Sequence, residues 1–166
     1  MILDTNIIIS LQRETRKGIH GVATKFFERL DTQSLYITPT IVGEFACGKS
    51  IASRELCNRI LRLYSVLPIT DEVSWQYATI YRDLSAKGIL IGTNDLWIAA
   101  AGLAGLAGLA HGQAIATGNV KEFQRVHGLE INFDVLVTKK RNITATIECF
   151  LPPPSTPQFR GSAPDS

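Results

Sequence analysis

Five short β-rich runs separated by helical stretches restrict the fold of this chain more than any other feature. The runs are Ile2-Leu3, Leu35-Tyr-Ile-Thr38, Val66-Leu-Pro-Ile69, Ala114-Ile-Ala-Thr117 and Leu129-Glu-Ile-Asn-Phe133. The clearest helical pattern covers residues 71–87. There Val73, Tyr77, Ile80, Tyr81 and Leu84 fall at i, i+4, i+7, i+8 and i+11, one face of a helix. Asp71 is expected to cap its start and Gly88 to follow its end. Another helix should open at Pro39, a favoured first-turn residue, with Thr38 as its cap. Strands alternating with helices imply an α/β layer fold with a mainly parallel sheet of about five strands. Ligands of such folds bind beyond the carboxyl ends of the strands.

The chain has 166 residues, one domain's worth. That length can bury a core without disulfides or a structural metal. Hydrophobic residues at 45% and charged residues at 19% exclude global disorder, a coiled coil and a collagen-like chain. A formal net charge of +2 neither demands a polyanionic partner nor opposes one. Cys47, Cys57 and Cys149 show no zinc-ligand spacing, so reduced thiols and a cytoplasmic location are expected. The opening Met-Ile-Leu-Asp has no basic or extended apolar stretch, so no secretory signal is expected. The apolar stretch 96–110 is shorter than the ~20 residues of a membrane span. It reads as a buried helix, and no membrane partner is expected. Residues 1–133 are expected to form the folded unit. Residues 134–151 are a β-branched extension with no assigned place, and 152–166 a Pro/Ser-rich, disordered tail.

Acidic residues number only 15, so their positions are informative. Asp4 follows the first apolar run, in Leu3-Asp-Thr-Asn6, where it would face the ligand crevice. Its ordinary structural role would be to cap the next helix. Glu44 lies in Thr40-Ile-Val-Gly-Glu-Phe-Ala46, among apolar neighbours. A charge there is costly unless it is paired, metal-bound or turned to a polar stripe. Asp95 lies in Gly92-Thr-Asn-Asp-Leu-Trp-Ile-Ala-Ala100, in the first turn of an apolar helix, where it also suits the helix dipole. These three could meet only through the fold. Clustered, they would persist at neutral pH by shifting their pKa values or by binding a hard divalent cation.

Four segments carry a family resemblance: Met1-Ile-Leu-Asp-Thr-Asn6, Thr38-Pro-Thr-Ile-Val-Gly-Glu44, Thr93-Asn-Asp-Leu-Trp-Ile-Ala-Ala100 and Ala116-Thr-Gly-Asn-Val-Lys-Glu-Phe123. In this order they resemble the PIN-domain ribonucleases, and among them the VapC-type toxins of bacterial toxin–antitoxin pairs. The resemblance covers residues 1–133. It implies a three-layer α/β/α fold, Mg²⁺- or Mn²⁺-dependent cleavage of RNA, a cognate antitoxin, and a homodimer or hetero-oligomer with that antitoxin. It also implies that Asp4, Glu44 and Asp95 are the acidic metal ligands, with Asn6 and Thr117 as polar residues beside them. Where the family often has Asp, this chain has Asn119, followed by Glu122. On the family pattern Asn119 would orient a water and Glu122 would supply the missing charge.

The chain departs from the family in the repeat Ala101-Gly-Leu-Ala-Gly-Leu-Ala-Gly-Leu-Ala110. Two added Gly-Leu-Ala units would lengthen a helix by ~9 Å. The expectation is that the helix containing Asp95 runs on through the repeat and that the loop at His111 and Gly112 absorbs the change. Arg13, Arg16, Lys17, Lys49, Arg54, Arg59 and Arg62 are candidates to hold an RNA backbone. The helix at residues 54–64, with Leu56, Ile60 and Leu63, is a candidate partner surface. Two other functions compete with the ribonuclease. One is an impaired family member that only binds its antitoxin. The other is an Asp-nucleophile phosphatase, which wants an acid where this chain has Asn6.

Overall fold

The computed structural model describes residues 1–30, 34–105 and 113–132. Residues 133–166, and with them the extension and the tail, lie outside the described residues.

The five strands are β1 (Ile2–Leu3), β2 (Tyr36–Ile37), β3 (Ser65–Val66), β4 (Ile115–Ala116) and β5 (Ile131–Asn132); four lie inside the expected runs, while β3 starts one residue before its run and shares only Val66 with it. All four pairings are parallel, and the order across the sheet is β3-β2-β1-β4-β5. Seven helices are described: α1 (Thr5–Lys17), α2 (Val22–Arg29), α3 (Pro39–Ala46), α4 (Arg54–Leu61), α5 (Asp71–Ala86), α6 (Thr93–Ala104) and α7 (Val120–Phe123). The chain steps from β1 outward to β2 and β3, then returns past β1 to β4 and β5. Right-handed crossovers therefore place α1–α4 on one face of the sheet and α5–α7 on the other. Consistent with this, α1 touches α2 and α3, while α6 touches α5 and α7.

The central strands are apolar because both faces are covered: Ile2, Leu3 and Ile115 have no exposed surface, and Ala116 almost none. Residues on all sides meet them, including Ile8 and Leu11 of α1, Ile41 and Phe45 of α3, and Leu96 and Ile98 of α6.

Local side-chain caps mark the starts of α3, α4 and α5. Thr38 Oγ1 accepts from the Ile41 N–H with Pro39 in the first turn, as expected. For α5 the cap is Thr70, whose Oγ1 accepts from the Val73 N–H at 3.3 Å, so the expectation that Asp71 would do this is corrected. Asp71 sits inside the first turn instead.

The expected continuation of α6 through the glycine repeat is also corrected. The helix ends at Ala104, and Gly105 turns out of it with φ 67°. That conformation is one a glycine adopts at no steric cost. Gly102 sits inside the helix where its backbone lies against Leu129, Ile115 and Gln113. A Cβ there would stand 2.9 Å from Leu129 Cδ1. Of the proposed partner surface on α4, Ile60 is 1% exposed and Leu56 packs on the core. Those two residues are engaged within the chain, and Leu63 alone of the three is exposed.

Candidate active site

The chain reverses its direction across the sheet between β1 and β4, and this switch point opens a crevice at the strands' carboxyl ends. The register pairs Ile2 with Ile115 and Leu3 with Ala116, so the next residues, Asp4 and Thr117, face each other. The Asp4 N–H donates to the Ala116 carbonyl at 2.9 Å. Asp4 occupies the N-cap position of α1, yet its side chain makes no capping hydrogen bond. Its carboxylate turns to the crevice and accepts from Thr117 Oγ1 and Asn6 Nδ2, each at 2.5 Å.

Glu44 reaches the same place from α3, which meets both α1 and α6. Thr5 Oγ1 donates to Glu44 Oε2, and Asn94 Nδ2 donates to Oε1 at 2.6 Å. Asp95 arrives in the first turn of α6, and Asn119 Nδ2 donates to its Oδ2 at 3.2 Å. Asn119 is itself placed by its backbone N–H, which donates to Thr117 Oγ1 at 2.8 Å. Asn6 Oδ1 accepts from the Gly118 N–H at 2.9 Å, fixing the turn after β4. Glu122 stands one helical turn further along α7 and pairs with Arg125 Nη1 at 2.9 Å.

The electrostatics follow from this gathering. Burial, with Glu44 adding to it, pushes the Asp4 carboxyl above its ordinary value against the pull of the Thr117 hydroxyl. Asp95 is pushed up to about 6, first by burial and then by Asp4, Glu44 and Glu122. The structure therefore brings Asp4, Asn6, Glu44, Asp95, Thr117 and Asn119 to one crevice. Glu122 lies within electrostatic reach of Asp95, its charge partly answered by Arg125.

Two contributors were not singled out from the sequence. Thr5 and Asn94 hold Glu44, and each is the chain neighbour of an acidic residue that was noticed. A third polar device lies just beside the crevice. Glu14 of α1 accepts from the N–H groups of Ala23 and Thr24 and from the Thr24 hydroxyl, so it caps α2 from another helix.

The donor chemistry suits a hard divalent cation. Asp4, Glu44 and Asp95 offer carboxylate oxygens, and their hydrogen-bond partners are neutral hydroxyls and amides. Negative charge thus accumulates with no side-chain cation among the described residues paired to these three groups. Among the described residues, however, no three Asp, Glu, His or Cys side chains form a finished ligand set as they stand. Glu44 is held in place by Thr5 and Asn94.

Known proteins share both the sequence pattern and this architecture. The PIN domain family matches residues 1–129. Ribonuclease VapC1 of Rickettsia felis is 33% identical over 139 residues, covering 79% of this chain and 93% of that protein. Ribonuclease VapC1 of Haemophilus influenzae is 30% identical over 131 residues, covering 78% and 93%. The solved structure of VapBC-1 from nontypeable Haemophilus influenzae superposes with a TM-score of 0.61 at 29% identity, covering 79% of this chain and 95% of that one. With the matched region spanning four of the five strands and every crevice residue, the chain belongs to the PIN domain family and, within it, groups with the VapC ribonucleases.

Proposed function

We propose that this chain is a metal-dependent endoribonuclease that acts as the toxin of a toxin–antitoxin pair, hydrolysing RNA phosphodiester bonds. The observation that carries this reading is the convergence of Asp4, Glu44 and Asp95 at the switch point with only neutral hydrogen-bond partners. Membership among the VapC ribonucleases supports RNA as substrate and a cognate antitoxin as partner, with assembly as a homodimer or with that antitoxin.

Asp4, Glu44 and Asp95 would hold Mg²⁺ or Mn²⁺. When bound, such an ion polarises the phosphoryl oxygen and lowers the pKa of an attacking water. The chain's own residues set the geometry around it. Thr117 and Asn6 fix the Asp4 carboxylate, so its oxygens need no reorganisation on binding. Thr5 and Asn94 hold the Glu44 carboxylate in the crevice. Asn119 orients Asp95 through Oδ2, and its amide would help to direct an attacking water. Above about pH 6 Asp95 is ionised and available as a ligand.

The repeat does not argue for an impaired enzyme. Whatever path residues 106–112 take, Thr117 returns to hydrogen-bond distance of Asp4. The phosphatase reading fares worse: the residue two positions after Asp4 is Asn6, which donates to that carboxylate and has no acidic proton to give. The test is cleavage of total RNA by the purified full chain. Cleavage should require Mg²⁺ or Mn²⁺, stop in chelator, and be absent in Asp4→Ala and Glu44→Ala. Metal-independent cleavage, or turnover retained in Asp4→Ala, would refute the proposal.

A further inference from the structure

The acidic crevice uses one end of α1 and leaves its other end without a role. Thr5 in the first turn donates to Glu44. At 3.6 residues per turn, Ile9, Gln12 and Arg16 lie within about 40° of Thr5 around the axis, so one face of α1 runs from Glu44 to Arg16, a rise of ~16 Å. Arg13 and Lys17 lie on one side of that stripe, about 80° and 120° around the axis from Thr5. At the far end Ile9, Gln12, Arg13, Arg16, Lys17 and Ser50 line a cleft of about 330 Å³. Gln12 is 8% exposed and accepts from Ser50 Oγ at 3.3 Å, which ties the segment after α3 to α1 and closes the floor.

Arg13, Arg16 and Lys17 are exposed, and none pairs with a carboxylate among the described residues. Arg16 and Lys17 lie in the last turn of α1, where cations suit the helix dipole. That accounts neither for Arg13 nor for the concave site the three share. Like charges gathered without counter-ions repel one another, and they concentrate polyanions at the same spot.

We infer that this face of α1 is the track for the RNA backbone, with phosphates beyond the scissile bond held by Arg13, Arg16 and Lys17. The inference rests on the ribonuclease reading and adds what that reading lacks. A crevice of three carboxylates repels RNA, so the attraction that seats the strand has to come from elsewhere on the surface. The stripe supplies it at a fixed distance, a few nucleotides of single strand from the site of cleavage. A substrate too short to reach Arg13 therefore gains nothing from the track.

The experiment compares the full chain with an Arg13→Gln/Arg16→Gln/Lys17→Gln variant. A second variant, Lys25→Gln/Arg82→Gln/Lys87→Gln, removes the same charge from α2 and from the α5 side of the surface. Binding of labelled oligouridine is measured in chelator across a salt series, where no cleavage is needed for a signal. Loss of three phosphate contacts should lower the slope of log K against log salt by ~2 and weaken binding about tenfold at low salt. The control variant should keep the slope. Thermal melts establish that both variants fold. Cleavage of a long and a very short RNA is then followed with Mn²⁺: the α1 variant should lose rate on the long one only. An unchanged slope and affinity, or an equal loss in the control, overturns the inference. So does unchanged RNA affinity with weakened antitoxin binding, which would give the stripe to a protein partner. If the wild-type chain cleaves neither RNA while the slope change persists, the ribonuclease reading falls and the track stands.

Discussion

Replacing Asp95 with Asn should stabilise the metal-free fold while removing a proposed metal ligand. Burial and three neighbouring carboxylates carry its pKa from 3.8 to about 6. Taken at full value, that displacement corresponds to a penalty of ~3 kcal/mol for the ionised form. The carboxyl is only half-buried, so solvent screening reduces the usable figure to ~1–1.5 kcal/mol. Asn forfeits the favourable charge at the start of α6, worth ~0.5 kcal/mol. The net gain is about 1 kcal/mol, or a rise of ~2–4 °C in Tm for a chain this size. The pH dependence has a definite sign. Below the unfolded value of 3.8 the carboxyl is protonated in both states and carries no penalty; as pH rises through about 6 the folded state loses stability, and above that the loss is complete. The variant's advantage should therefore be absent near pH 4 and full by pH 7. The assay is a thermal melt of both proteins in chelator across that range, repeated with Mn²⁺. Mn²⁺ should raise the wild-type Tm and narrow or reverse the gap. Equal melting temperatures at pH 7.5 in chelator, or a gap that widens toward acid, would refute the repulsion argument.

Other substitutions probe the scaffold of the same crevice. Thr117→Val keeps the shape of a fully buried side chain but deletes its hydrogen bond to Asp4. Losing a hydrogen bond to a charged group should cost ~1.5–3 kcal/mol in urea unfolding at pH 7.5. Gly102→Ala would gain helix propensity, but its Cβ would press on Leu129, Ile115 and the Gln113 carbonyl. Overpacking should win, at ~1–3 kcal/mol of lost stability; a more stable variant would show that the β4–β5 side yields easily. Burial alone would raise the Glu14 pKa, but hydrogen bonds from Thr24, Ala23 and Gly21 bring it below its ordinary value. Glu14→Ala should remove ~0.5–2 kcal/mol of capping stability above pH 4.5, a difference that fades as pH falls through the depressed folded pKa.

The sequence by itself determined the fold class, because the two periodicities it carries are local. Short apolar runs such as Ala114-Ile-Ala-Thr117, alternating with helices, suit strands covered on both faces in a parallel sheet, and Thr38-Pro39 ahead of an apolar stretch is a local signal for a helix start. The acidic candidates were legible for a related reason. A carboxylate next to a buried strand or in the first turn of an apolar helix is anomalous on its own terms, as Asp4 and Asp95 are. Tertiary structure alone decided what those carboxylates touch. Asp4 could have capped α1, and only the register of β1 with β4 sets Thr117 opposite it and turns it into the crevice. Glu44 could have sat on a polar stripe, and only the contact of α3 with α1 and α6 delivers it to Thr5 and Asn94. The end of α6 was decided the same way. Propensity and apolarity do not distinguish Gly102 from Gly105. Close packing under Leu129 keeps the first inside the helix, while the second takes the positive φ at which the helix ends. Distances between residues far apart in the chain are set by packing many elements at once, and no local window of sequence contains them.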